Sequence, residues 1–247
     1  MDNNLQTMSS DIDNIVATFG SDESAFMELT GQAATPKSEG LSRLNINYDT
    51  ETEDGETLTR GDWKMMYLGE MVYAKEILIK PILRTFEWSI FDAEQGVFSS
   101  KSVQKPTMSG DFPDTEGGNK CGRLSQDEED KLKDDDPLKV KSRSAVCNQV
   151  LYSKVSGKFR KANGEEIEIS EHPAVAYFKR SGFLPIRNFI DSLTRQKKIM
   201  QKCWISLKTD KKKKGSVTYF VPVPTLSSET DILDEDKELM KKFAETV

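Results

Sequence analysis

The chain has 247 residues, 36% apolar and 31% charged, with a formal net charge of −6. This composition predicts one packed core diluted by solvated segments. With no apolar run near the roughly 18 residues of a membrane span, no basic and apolar leader, and no CxxC pair among Cys121, Cys147 and Cys203, membrane-spanning, secreted and disulfide-framework classes are excluded as expectations, and the expected compartment is the cytoplasm.

The charge is segregated along the chain. Residues 1–59 carry twelve acids and two bases, and residues 107–136 carry ten acids and four bases. Residues 141–226 carry eighteen bases and six acids, and residues 227–247 return to a balance of −4. A basic body between acidic flanks predicts a polyanionic partner, because lysine and arginine contacts release phosphate counterions.

Residues 1–59 read as a largely disordered acidic arm, in which Ile12, Ile15, Val16 and Phe19 fall at helical spacing before Gly20. From Gly61 the pattern is β. Trp63, Met65 and Tyr67 alternate with Lys64, Met66 and Leu68; a second strand is predicted over 71–80 and a third over 84–91, with Phe86, Trp88 and Ile90 on one face. Residues 93–143 read as an irregular insertion punctuated by Gly110, Pro113, Gly117 and Gly118 and by acidic runs.

The β pattern returns over 145–159. Asn163-Gly164 predicts a hairpin turn into Ile167–Ile169, and another strand follows over 174–180. Pro185 suits the first turn of a helix whose apolar stripe is Ile186, Phe189, Ile190 and Leu193. Two further strands, 202–208 and 216–223, flank Lys211, Lys212, Lys213, Lys214 and Gly215, which read as an exposed hairpin tip. Residues 227–247 read as a mobile, partly helical acidic tail. The predicted fold is thus mainly β, an OB-like Greek-key barrel over residues 60–226 with one helix, a long irregular insertion and mobile acidic termini.

Templates for catalysis fail in turn. GxSxG, HExxH and the P-loop lysine motif are absent, and the single histidine, His172, precedes Pro173 at a predicted strand edge. Glu165, Glu166 and Glu168 follow an Asn-Gly turn and read as a solvated hairpin. A zinc site using Cys121, Cys147 and His172 matches no familiar ligand spacing. No enzyme activity, cofactor or metal is expected.

A binding constellation fits better. Single strands are held by cations along the backbone and by aromatic rings against the bases. The β segments interleave both types: Lys64 with Trp63 and Tyr67, Arg84 with Phe86 and Trp88, and Lys179 and Arg180 with Tyr177. Trp204 is the leading stacking candidate, because Ser206 and Lys208 share its strand face; Lys211–Lys214 complete the cationic set.

The stretch from His172-Pro173-Ala174-Val175-Ala176-Tyr177-Phe178 through Phe183-Leu184-Pro185-Ile186 to Gly215-Ser216-Val217-Thr218-Tyr219-Phe220-Val221-Pro222 resembles phage-type single-stranded-DNA-binding proteins. So does the Lys80-Pro81 strand followed by a loop containing Cys121-Gly122-Arg123. The likeness spans roughly residues 60–226 and implies an OB fold, sequence-tolerant binding of single-stranded DNA (or RNA), and a role in replication or recombination. It also implies that an acidic tail, here Asp231, Asp234, Glu235, Asp236 and Phe243, docks replication or recombination proteins. The alternatives are a virion or replisome scaffold that binds proteins, and a DNA nuclease.

Overall fold

The computed structural model describes residues 41–245, so Ile12, Ile15, Val16 and Phe19 lie outside the described residues. The chain is mainly β. Its strands are β1 (Ser42–Ile46), β2 (Trp63–Tyr67), β3 (Glu70–Ala74), β4 (Ile77–Asp92), β5 (Val97–Lys101), β6 (Val146–Lys161), β7 (Glu166–Phe178), β8 (Cys203–Lys214) and β9 (Val217–Glu229). The helices are α1 (Gln126–Glu129), α2 (Pro137–Ser144), α3 (Phe183–Arg195) and α4 (Asp234–Glu245).

Five strands close a barrel among the described residues, in the ring order β1-β2-β3-β6-β7, with β7 returning to β1 in parallel through Ser42 opposite Ala174 and Leu44 opposite Ala176. Ring neighbours follow chain order, so the ring itself lacks the Greek-key crossing expected from the sequence. The ring also starts earlier than expected: β1 belongs to the segment read as a disordered arm, and its pairing with both β2 and β7 orders it.

β3 and β4 act as one long bent strand. Both pair antiparallel with β6 in near-continuous register, Val72 opposite Lys161 and Leu78 opposite Ser156. At the bend, Lys75-Glu76, the other edge exchanges β2 for β8. Gly157 of β6 lies against this bend at φ +149, where a side chain is strained, and a Cβ would sit 3.6 Å from the Glu76 carbonyl. β8 and β9 then extend the sheet beyond the barrel as a hairpin.

The core fills from inward-facing strand positions. Trp63, Met65, Val72, Ile77, Ile79, Leu151, Val155, Phe159 and Ile169 pack with Ile205 and Leu207 of β8, and Ile186, Ile190 and Leu193 of α3 join them. Each such side chain contributes about 1.5–3 kcal/mol by leaving water. The Trp63 indole N–H donates to the Leu207 carbonyl at 3.0 Å, so the largest ring in the core leaves no orphaned donor.

The stretch over 93–143, expected to be irregular, is ordered. It runs beside β4, where Phe86 and Lys105 exchange backbone hydrogen bonds at 2.7 and 2.9 Å. The Gln104 side chain accepts from Thr85 at 2.6 Å and from the Tyr152 hydroxyl at 3.2 Å, and donates to buried Glu87 at 3.1 Å. A Ser125–Glu128 capping box starts α1, and Asp136 caps α2, whose first residue is Pro137.

The C-terminal segment, expected to be mobile, docks instead. Asp236 of α4 is buried between Lys80 of β4 and Lys154 of β6, and Phe243 is buried beside Tyr152, with ring centroids 5.1 Å apart. The physical reason is that two sheet lysines facing the same side need a carboxylate, and α4 presents it on the same face as its apolar anchor Phe243, about two turns earlier. No helix among the described residues is long and apolar enough to cross a membrane.

Candidate functional site

A cleft of about 370 Å³ opens at one end of the barrel. Its walls are the end of β1 with Tyr48, the turn from Lys179 to Gly182 that enters α3, and Phe220 and Pro222 of β9; Trp63 lines it from β2. Gly61 makes the Phe220 wall possible. Its φ is +95, and a Cβ there would come within 2.5 Å of the Phe220 ring. Tyr48 meets the same ring edge-on at 5.8 Å.

Cations and rings gather beside this cleft. The Arg43 guanidinium sits 4.7 Å from the Tyr177 ring centroid, and the Lys101 ammonium sits 5.8 Å from it. The Lys179 ammonium is 5.9 Å from the Phe91 ring, which forms a T-shaped pair with Phe98 at 5.3 Å. Phe91 and Phe98 are 49% and 41% exposed, an unusual state for two neighbouring phenylalanines. Burial first, then the nearby charges of Arg180 and Arg43, pulls the Lys179 ammonium below the ordinary lysine range. Lys101 is shared with Glu87 at 3.3 Å, whereas Arg43, Lys179 and Arg180 have no carboxylate within ion-pair distance among the described residues. Arg180 also holds φ +49, a conformation that costs a non-glycine residue about 1 kcal/mol or more.

The residues singled out in the sequence divide between this site and other places. Lys64, Tyr177 and Lys179 line the cleft, although Lys64 is tied to Asp49 at 2.5 Å. Arg180 belongs to the turn at its edge. Lys211, Lys212, Lys213 and Lys214 form the exposed end of the β8–β9 hairpin. Trp204 and Lys208 are elsewhere: they alternate with Cys203, Ile205 and Leu207, which point into the core, and so occupy the outer face of β8. There Trp204 is half-buried and Lys208 pairs with Glu76 at 3.1 Å.

Arg84 is engaged with side chains of β6 and α3. It donates to Gln149 at 2.9 Å, approaches Asp191 of α3 at 3.7 Å and lies 4.9 Å from the Phe86 ring, which itself meets Phe183. Trp88, on the same face, is half-buried, and its enclosed indole N–H has no hydrogen-bond partner among the described residues. Asp231, Asp234, Glu235, Asp236 and Phe243 lie on the docked α4 segment, with only the last two buried. The sequence reading missed Arg43, Tyr48, Phe91, Phe98, Lys101 and Phe220. For Arg43 the signal is the alternation of Arg43 and Asn45 with Leu44 and Ile46, obscured by the acidic stretch around it.

His172 is packed rather than poised. Its ring meets Tyr67 edge-on at 5.0 Å, and its Nε2 lies 2.8 Å from the Ser42 hydroxyl. That hydroxyl donates its one proton to the Met66 carbonyl at 2.7 Å, so it accepts from the imidazole and is not activated by it. No group of three or more His, Cys, Asp or Glu side chains is placed to hold a metal among the described residues. Burial pushes the Cys147 thiol up to about 12, the reverse of what a metal-ligating thiolate requires. Comparison with protein-family models, curated proteins and solved structures finds no match to this chain.

Proposed function

We propose that this protein binds single-stranded nucleic acid, with DNA as the first expectation, and coats it without performing chemistry on it, in replication or recombination. The observation that supports this most directly is a set of cations with no carboxylate partner among the described residues, Arg43, Lys179 and Arg180, gathered with Tyr177, Phe91 and Phe98 beside an apolar cleft. Rings of this kind take bases by stacking, and unneutralised cations beside them take the phosphates, which is the division of labour that single-strand recognition needs. A duplex hides its base faces and would use only the cations. The closed five-strand barrel is consistent with an OB-like binding fold, although its ring closes in chain order.

The test is a titration with labelled single-stranded DNA, duplex DNA and RNA at several salt concentrations. Single strands are expected to bind more tightly than duplex, with log affinity falling against log salt by about 0.7 per phosphate contacted. Equal affinity for duplex, or indifference to salt, overturns the reading.

A further inference from the structure

The β8–β9 hairpin places its four consecutive lysines on two different faces. Its register sets Thr209 opposite Pro222, Lys211 opposite Phe220 and Lys213 opposite Thr218, and the two-residue turn at Gly215-Ser216, with Gly215 at φ +60, closes it without a slip. Directly opposed residues share a face, and successive residues alternate. Thr209, Lys211, Lys213, Phe220 and Pro222 therefore lie on one face, and Lys212 and Lys214 on the other. Phe220 and Pro222 are the residues of this hairpin that wall the cleft, and the Thr209 hydroxyl anchors the same face by donating to the Gly61 carbonyl at 2.6 Å.

The charge partners divide only in part by face, since Lys214, like Lys211 and Lys213, has no carboxylate within ion-pair distance among the described residues. On the face turned away from the cleft, Lys208 pairs with Glu76 at 3.1 Å and Lys212 with Asp210 at 2.5 Å. Lys211 and Lys213 have no carboxylate within ion-pair distance among the described residues. They extend the Phe220 wall outward as two cations separated by two strand residues, about 7 Å.

We infer that Lys211 and Lys213 carry the phosphates of a bound strand as it leaves the cleft, and that Lys212 and Lys214 do not touch it. This rests on the single-strand reading above and adds the path of the backbone and the choice among four adjacent lysines. It also gives the exit path one side of the hairpin, so that the strand leaves along the Phe220 face.

Three double variants of the full chain test it: K211A/K213A, K212A/K214A and R43A/K179A, titrated with fluorescently labelled oligo-dT across a salt series. The two hairpin variants remove the same charge from neighbouring exposed positions, so long-range attraction changes equally, and melting curves check that each remains folded. K211A/K213A is expected to weaken binding roughly tenfold at 0.15 M salt and to flatten the salt slope by about 1.4, two contacts at 0.7 each. K212A/K214A is expected to change affinity less than about threefold. Equal losses in the two hairpin variants, or a larger loss in K212A/K214A, overturn the inference and show a diffuse charge effect. If both hairpin variants bind normally while R43A/K179A is weakened, the inference falls and the cleft reading stands. If all three bind normally, both fall.

Discussion

Asp236 Oδ2 lies 2.6 Å from the Lys80 ammonium, a contact between residues 156 positions apart that binds the C-terminal helix to the sheet. The other carboxylate oxygen meets Lys154 at 2.8 Å, and Lys154 also reaches Glu171 at 2.8 Å. All three charges of the central triad are nearly excluded from water, so each depends on the others for what solvent no longer supplies.

Removing the carboxylate leaves two buried ammonium groups facing each other. Asp236→Ala is expected to cost about 3–5 kcal/mol of stability, the range for breaking a buried pair from one side. Thermal or denaturant unfolding measures it; a loss below about 1 kcal/mol would show that α4 is held mainly by Phe243.

The same carboxylate sets an acid sensitivity. Burial alone would raise its pKa, but hydrogen bonds from Lys154, Lys80 and the Leu233 backbone N–H outweigh burial and hold it at about 2, below its ordinary 3.8. A depressed acid favours the folded state fully above its unfolded value, and the benefit disappears as pH falls through the folded value. About 2 kcal/mol should therefore be lost between roughly pH 4 and pH 2. Unfolding free energies of the parent and Asp236→Asn across that window check this, since the variant should lack this part of the slope.

Partly exposed rings and the buried Trp63 ring near the cleft should separate cleanly. Phe91→Ala and Tyr177→Ala are each expected to weaken single-strand binding by about 1–3 kcal/mol. Trp63→Ala should instead cost about 3–5 kcal/mol of stability, because it empties the core. Affinity and melting temperature measured on the same three variants decide it. A Phe91→Ala protein that binds normally removes that ring from the interface.

Trp204 is on the outer face of β8, away from the Phe220 wall. Trp204→Ala is expected to leave affinity for a single strand within about threefold, a smaller effect than a lost base stack of roughly 1–3 kcal/mol. Quenching of emission by oligonucleotide that disappears in this variant would restore Trp204 as a stacking residue.

The three thiols should resist alkylation in the folded protein. Cys121 and Cys203 are fully buried, and burial raises the pKa of all three, that of Cys147 to about 12. Iodoacetamide near pH 8 is expected to label none of them until denaturant is added, as mass spectrometry would show. Rapid labelling of Cys147 in native protein contradicts this.

Local features were legible in the sequence because neighbours within a few residues determine them. The apolar spacing of Ile186, Ile190 and Leu193 marks α3, the alternation from Trp63 marks β2, and Asn163-Gly164 and Gly215 mark their turns. The lysine run at the hairpin tip and the basic character of the surrounding region could also be read from the chain.

Which strands become neighbours could not, because pairing depends on surfaces brought together from distant positions. β1 is five residues long in an acidic setting, and only β2 and β7 make it a strand. The tail reads as a solvated anion until Lys80 and Lys154 are placed side by side on the sheet, where desolvation makes a carboxylate partner worth far more than on the surface. The alternation of Lys211 with Lys212 is already in the sequence; which of the two faces the cleft is decided only where Phe220 closes onto Gly61, whose missing Cβ lets the hairpin approach the barrel.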